Sequence, residues 1–254
     1  MRERVNSLKA AVTEGRVHIG LWCSLASALT TEVVAGSGAG WLLIDGEHSP
    51  NDLRSIMAQL QTLGGFDLEA VVRLPADDSN LIKQAMDIGS RSLMIPNVKT
   101  ADQARQIVAA TRYAPKGIRG FSVAHRANAF GRIAGYHGSA REQQLLAVQI
   151  ECSTGVANAA EIAAVEGVDV LFVGPGDLST NMSEMGNPGA PAVQAAIASV
   201  RKAAAAAGKA SGILAPVKAD ADRYISEGFT MVAVGSDLGL LAKGSDALIA
   251  SFKR

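Results

Sequence analysis

Apolar and polar positions alternate along this chain in two rhythms. Eight short apolar, β-rich runs recur at residues 17–23, 41–45, 70–74, 92–95, 146–151, 168–173, 210–214 and 230–234. Each run is continuous in its apolar residues, the pattern of strands covered on both faces of a parallel sheet. Between them lie amphipathic stretches of helical length. Residues 51–63 place Leu53, Ile56, Met57, Leu60 and Leu63 on one face, and residues 101–111 do the same with Ala104, Ile107, Val108 and Thr111. Residues 192–207 are Ala-rich and strongly helix-forming, and 219–227 and 238–252 complete the set. Gly36, Gly64, Gly89, Gly208 and Gly228 stand shortly before the next strand, where helix C-caps fall.

Eight strands alternating with eight helices in 254 residues predict an α/β fold, a (β/α)₈ TIM barrel, as one domain over residues 1–254. A doubly wound open sheet would show a Gly-rich turn after its first strand, yet here that strand ends Leu21-Trp22-Cys23-Ser24. The Gly-rich run at 36–40 precedes a strand and reads as a helix-to-strand turn. One connection, residues 113–141, is long and rich in Gly, Arg and aromatics, as functional or interfacial loops of barrels are.

Composition narrows the class. Lys+Arg and Asp+Glu number 24 each, so the formal net charge is zero, which argues against nucleic acid as a partner. The chain is 48% apolar and 19% charged, far from the composition of a disordered chain. Two cysteines, Cys23 and Cys152, cannot build a disulfide framework and suit a reducing compartment. The first residues, Met-Arg-Glu-Arg-Val-Asn, are followed by no signal-peptide core, and no apolar run approaches the roughly 18 residues of a membrane span. The expectation is a cytoplasmic protein with neither a membrane nor a nucleic-acid partner.

In this fold active sites form at the C-terminal ends of the strands. The runs end in Trp22-Cys23, in Asp45-Gly46-Glu47-His48-Ser49-Pro50, at Arg73, at Pro96-Asn97, in Gln149-Ile150-Glu151, in Gly174-Pro175-Gly176-Asp177, at Leu214-Ala215 and at Gly235-Ser236. Neighbouring barrel strands lie about 4.8 Å apart, so Glu151 and Asp177 can meet on one ion. Two carboxylates with open positions for water and substrate oxygens suit Mg²⁺ or Mn²⁺; there is no HExxH and no Cys/His cluster for zinc. The alternative is that Asp177 caps a helix and Glu151 is a rim charge. Arg73 has inward parity and suits a developing oxyanion, or an ion pair with Glu151, Glu47 or Asp45. His48, with Asp45 to orient its imidazole, reads as an acid/base. Trp22 walls the pocket or packs the core. The thiols read as apolar fillers.

These residues bring a family into view. The chain resembles the HpcH/HpaI aldolases, metal-dependent class II pyruvate aldolases, through Gly20-Leu21-Trp22, the 45–50 segment, Val72-Arg73, Gln149-Ile150-Glu151, Gly167-Val168-Asp169, the 174–179 segment, Gly186-Asn187-Pro188 and Gly212-Ile213-Leu214. The resemblance is collinear over nearly the whole chain. It implies a barrel of the phosphoenolpyruvate/pyruvate-domain type and reversible cleavage of 4-hydroxy-2-oxo acids to pyruvate and an aldehyde. It implies Glu151 and Asp177 as ligands of Mg²⁺ or Mn²⁺, with Co²⁺ a further candidate. Arg73 would face the pyruvate carbonyl and enolate, and His48, supported by Asp45, would be the acid/base. Gln149 and Trp22 would line the pyruvate pocket, and backbone around Gly176 and Leu214 would hold the carboxylate. Glu47 and Asp87 would stand behind these groups, Asp87 across a subunit contact. A homo-oligomer is implied, a hexamer built as a trimer of dimers. The chain departs from many members at Gly176, where they carry Ala, and in the loop Arg119-Gly120-Phe121-Ser122-Val123-Ala124-His125-Arg126.

Rival readings are distinct in chemistry. A Schiff-base aldolase needs a barrel lysine, and strands 5, 6 and 8 carry none, while Lys209 lies at the wrong end of strand 7. An acyl-CoA lyase of the citrate lyase β or malyl-CoA type, or an oxaloacetate decarboxylase, could use the same carboxylates. A non-catalytic binding barrel would turn over no oxo acid.

Overall fold

The computed structural model describes residues 5–253. Met1–Arg4, which open the N-terminal stretch read above, lie outside the described residues, as does Arg254. Eight parallel strands close a barrel in chain order. They are β1 (His18–Cys23), β2 (Trp41–Asp45), β3 (Glu69–Arg73), β4 (Ser92–Ile95), β5 (Leu145–Ile150), β6 (Val170–Val173), β7 (Ala210–Leu214) and β8 (Met231–Ser236). The helices preceding the fifth strand are α1 (Ser7–Thr13), α2 (Ala28–Ala35), α3 (Leu53–Leu63), α4 (Ser79–Asp87), α5 (Ala101–Thr111) and α6 (Tyr136–Ser139). Those that follow are α7 (Ser153–Ala157), α8 (Ala159–Ala163), α9 (Pro175–Asn181), α10 (Pro191–Ala206), α11 (Lys218–Glu227) and α12 (Asp237–Ala250). The expected strand and helix alternation is present, with the crossovers after β5 and β6 each broken into two helices.

Strand parity divides the core in two. Trp22, Trp41, Leu43, Val71, Met94, Leu145, Ala147, Val170, Phe172, Met231 and Ala233 fill the barrel, and Leu8 and Val12 of α1 pack against this cluster from below. The alternate residues Leu42, Ile44, Val72, Leu93, Ile95, Leu146, Val148, Ile150, Leu171, Val173, Ile213 and Val232 face the helices. Both faces are apolar, which is why the strand runs read as continuous. Inside, bulk is matched by absence of bulk: a Cβ at Gly20 would strike the Trp41 indole, and one at Gly212 would strike Phe172.

Caps fix helix starts more sharply than apolar periodicity does. Residues 51 and 52 stay outside α3 because the Asp52 carboxylate accepts from the Arg54 and Ser55 amides, while Ser55 Oγ accepts from the Asp52 amide. The 113–141 connection carries short helical turns organised by rings. Tyr113, Phe121, His125, Tyr136 and His137 meet edge-on or tilted in one ring cluster, and the Arg119 guanidinium lies 4.6 Å from the Tyr113 ring centre. No described helix is long and apolar enough to cross a membrane.

Candidate active site

Inward parity delivers the polar residues to one mouth. Trp41 and Leu43 face the axis, so Asp45 does too; Val71 is followed by Arg73, and Leu145 and Ala147 by Gln149 and then Glu151. Glu151 stands one residue beyond β5, which ends at Ile150. Asp45 and Arg73 are direct partners in the β2–β3 register. Arg73 Nε donates to Asp45 Oδ1 at 2.9 Å and Nη2 to Oδ2 at 2.7 Å, a bidentate pair. Arg73 Nη1 lies 2.8 Å from Glu47 Oε2, an ion-pair contact without hydrogen-bond alignment. The Trp22 ring centre is 5.5 Å from the guanidinium, so Trp22 both packs the core, against Trp41 and Phe172, and floors the mouth.

The turn after β2 folds back over Asp45. Asp45 Oδ1 also accepts from the Glu47 amide at 3.0 Å and from the His48 amide at 3.4 Å. Gly46 is required there, because a Cβ would lie 2.6 Å from the Arg73 carbonyl oxygen. Asn51 ties the turn together: its Nδ2 donates to the Asp45 carbonyl at 2.8 Å and its Oδ1 accepts from Ser55 and Gln59.

This arrangement corrects one expectation. Asp45 does not hold the His48 imidazole; its oxygens go to Arg73 and to backbone amides. The His48 side chain is 66% exposed, and its Nε2 is 4.0 Å from Glu47 Oε2. The bidentate pair with a guanidinium directly across the sheet outcompetes a single contact to an exposed ring. Asp87, read from the sequence as standing across a subunit contact, ends α4, which runs back antiparallel to the strands, so within its own chain it sits toward the barrel floor. There it accepts from Arg119 Nη2 at 2.7 Å and lies 3.9 Å from His125 Nε2.

Glu151 is the electrostatic centre of the mouth. It is 7% exposed, and its Oε1 has no hydrogen-bond partner among the described residues. Burial pushes its carboxyl up to about 8, and the neighbouring Asp177 and Glu47 push the same way; Arg73 and the Asn97 amide oppose them. Burial also raises Glu47, against the opposing effect of Arg73 and then His48. Asp177 stands in the first turn of α9. Gln149 is buried, and its Oε1 likewise lacks a partner. Leu214 closes β7 at the same rim, and Gly176 faces open space.

Buried oxygen acceptors without partners, grouped with two further carboxylates, are the donor set of a hard divalent cation. No group of three or more His, Cys, Asp or Glu residues with metal-ligand geometry occurs among the described residues. Glu151 and Asp177 fit that donor set. Two supporting positions escape sequence reasoning. Gly174 receives the Glu151 side chain, since a Cβ there would lie 3.0 Å from its Cγ. Asn97 adopts φ 55 and turns its amide to Glu151; a Pro-Asn pair at a strand end is the available signal, because Asn tolerates that conformation.

A closed parallel barrel gathers its acids, one buried arginine and a histidine at the C-terminal mouth, the arrangement of an enzyme active site. The comparisons make the assignment. The model of the HpcH/HpaI aldolase/citrate lyase family matches residues 18–244, and the chain belongs to that family. It is 47% identical over 249 residues to the 5-keto-4-deoxy-D-glucarate aldolase of Klebsiella pneumoniae subsp. pneumoniae, covering 98% of this chain and 97% of that one. Among solved structures, an HpcH/HpaI aldolase/citrate lyase family protein from Burkholderia cenocepacia J2315 superposes with a TM-score of 0.94 at 38% identity, covering 97% of this chain and 99% of that one. The HpcH/HpaI aldolase from Desulfitobacterium hafniense DCB-2 shares the fold, with a TM-score of 0.90 at 24% identity over 97% of this chain and 96% of that one.

Proposed function

We propose that this enzyme cleaves a 4-hydroxy-2-oxo acid reversibly to pyruvate and an aldehyde, and that its substrate is a six-carbon oxo-diacid of the kind named for its relatives. Numbered from its oxo end, 5-keto-4-deoxy-D-glucarate is itself a 4-hydroxy-2-oxo acid. Breaking its C3–C4 bond gives pyruvate and a three-carbon aldehyde bearing a hydroxyl and a carboxylate. The observation that carries this reading is the buried, partnerless Glu151 oxygen in a mouth shared with Asp177, Glu47 and Arg73.

Glu151 and Asp177 would hold a divalent cation, Mg²⁺ or Mn²⁺, with Co²⁺ a further candidate. Such an ion supplies Lewis-acid polarisation of the substrate carbonyl. The chain's own groups do the rest. Asp45 takes two of the five N–H donors of Arg73 and Glu47 sits against Nη1, which leaves donors free to face the oxygen on which negative charge develops. Asp45 and Glu47 thus aim the guanidinium rather than merely neutralise it. Gln149 and Trp22 shape the pyruvate pocket, and the backbone near Gly176 and Leu214 receives the substrate carboxylate. His48, at the open side of the mouth, takes the proton of the C4 hydroxyl, directly or through a water, as the C3–C4 bond breaks. Its electron pair passes into the pyruvate enolate, whose carbon is then protonated.

The assembly is a homo-oligomer, a hexamer built as a trimer of dimers, in this reading. The support in the chain is the exposed apolar face of α12, with Leu240, Leu241, Leu248 and Ile249. The buried, unbridged Cys23 and Cys152 suit a reducing cytoplasm. The test is pyruvate release from the oxo-diacid with Mg²⁺, Mn²⁺ or Co²⁺ added, repeated with EDTA. The expected result is turnover that the chelator abolishes. Turnover of CoA thioesters with none of oxo acids would overturn the reading, as would a borohydride-trapped pyruvate adduct.

A further inference from the structure

β8 runs straight into α12, the strand ending at Ser236 and the helix starting at Asp237. The β1–β8 pairing is regular from His18↔Met231 to Gly20↔Ala233 and then shifts, so that Trp22 faces Ser236. One extra residue in β8 sets Asp237 back by one position against β1, level with that strand's end. There its carboxylate, 4% exposed, collects three backbone N–H groups. Oδ1 accepts from Ser24 at 2.8 Å and from Leu238 at 2.7 Å, and Oδ2 accepts from Leu25 at 3.2 Å. Amides and the first turn of α12 hold this buried charge.

The barrel's symmetry says what this contact faces. In a closed eight-strand barrel β1 stands opposite β5, and β2 opposite β6. With the oxo-acid head between Glu151 after β5 and Asp177 after β6, the half that leaves as the aldehyde extends toward the exits of β1 and β2. Residues 23–27, anchored at one end by Trp22 of the pyruvate pocket, are the wall it meets. This wall is fixed at three points: the Trp22 ring on Trp41 and Phe172, the amides of Ser24 and Leu25 on Asp237, and Ser27, whose Oγ accepts from Thr30 at the start of α2. Ala26 between the last two adopts φ 51, a conformation alanine rarely takes, so local preference does not set this course.

We infer that Asp237 is a positioning residue that sets the β1 exit segment against the aldehyde half of the substrate. The inference rests on the proposed reading of the site. Asp237 touches no reacting atom; it acts through the Ser24 and Leu25 amides. Variants should therefore separate the two halves of the reaction. Loss of the contact weakens the fit of the full substrate while leaving pyruvate and its enolisation at the opposite side of the mouth unaltered.

The experiment compares Asp237→Asn and Asp237→Ala in the full chain, with Mg²⁺ or Mn²⁺ present. It reads KM and kcat for cleavage, solvent deuterium exchange into the pyruvate methyl group, and hydrogen exchange of the Ser24 and Leu25 amides. Asn keeps one acceptor oxygen and turns a donor toward Leu25; Ala keeps neither oxygen. Asp237→Ala should raise KM for cleavage about tenfold or more, with Asp237→Asn in between, and pyruvate exchange should stay within about twofold of wild type. The two amides should lose protection in the same order. Cleavage and pyruvate exchange falling together in the Asn variant would overturn the inference in favour of a general structural role. Unchanged kinetics in both variants would overturn it too, and if the Ala variant does not fold, the Asn variant decides. A wild-type enzyme that neither cleaves the oxo acid nor exchanges pyruvate would overturn the reading of the site itself, a failure seen before any variant is made.

Discussion

Two buried glutamates at opposite ends of the barrel meet opposite fates. Glu69 opens β3 at the floor, 4% exposed. Its Oε2 accepts from Arg91 Nη2 at 2.7 Å and its Oε1 from Ser92 Oγ at 3.4 Å. Glu151 follows β5 at the mouth, nearly as buried, yet its Oε1 has no partner among the described residues. The arginine nearest the mouth does not serve it, because Asp45 and Glu47 hold Arg73. Taking a carboxylate out of water is expensive at either end. At the floor a dedicated cation offsets the expense. At the mouth Arg73 and the Asn97 amide offset only part of it, which is how a site keeps an acceptor open for an ion or substrate.

The largest effect should come from the mouth's one engaged cation. Arg73→Ala is expected to lower kcat by about 10²–10³, the scale of losing an oxyanion donor, measured by pyruvate release. Near wild-type kcat would remove Arg73 from the chemistry. Next comes pH. In chelated protein, Glu151 keeps its proton in the fold up to about pH 8, whereas the unfolded chain releases it near 4.5. The unfolded state binds fewer protons across that window, so stability falls as pH rises through it and is flat below it. Thermal melts of the metal-free protein from pH 5 to 9 should show this decline, and Glu151→Gln should flatten it. A decline that survives in the Gln variant would end the contrast.

Glu69→Ala probes the floor. It takes from Arg91, whose side chain is 22% exposed, its 2.7 Å carboxylate contact, so the expected loss of stability is about 2–3 kcal/mol, below that for breaking a fully buried pair. The melting temperature should drop by several degrees while kcat holds within about twofold. A loss of activity without a loss of stability would reverse the roles assigned to the two ends. The smallest effect belongs to Gly176→Ala. A Cβ there meets nothing within 4 Å, and the residue lies in α9, so stability should rise by at most about 1 kcal/mol with KM within a few-fold of wild type.

Much of this molecule was legible before its coordinates. The inner and outer parity of β2, β3 and β5 already places Asp45, Arg73, Gln149 and Glu151 at one mouth. The β2, β4 and β7 runs coincide with the observed strands, and the β3 run is displaced by one residue. The helix starts were less legible, since Asp52 rather than the apolar stripe decides where α3 begins. The long connection gave only its composition; its ring cluster depends on residues up to 24 positions apart, Tyr113 and His137 among them.

The sequence by itself determined the barrel, its direction and the side of each strand from which the acids project, because parity and periodicity are local properties of the chain. Only the tertiary structure decided who binds whom. Asp45 carries Arg73 and not His48, since register sets those two side chains directly across from one another. Asp87 answers to Arg119, because its helix runs back to the floor. Asp237 reaches Ser24 across 213 residues, because β8 closes the barrel beside β1 and the residue that follows it lies at the neighbouring strand's exit. Partner choice among charged groups is settled by short distances between remote segments, and those distances exist only once the barrel has closed.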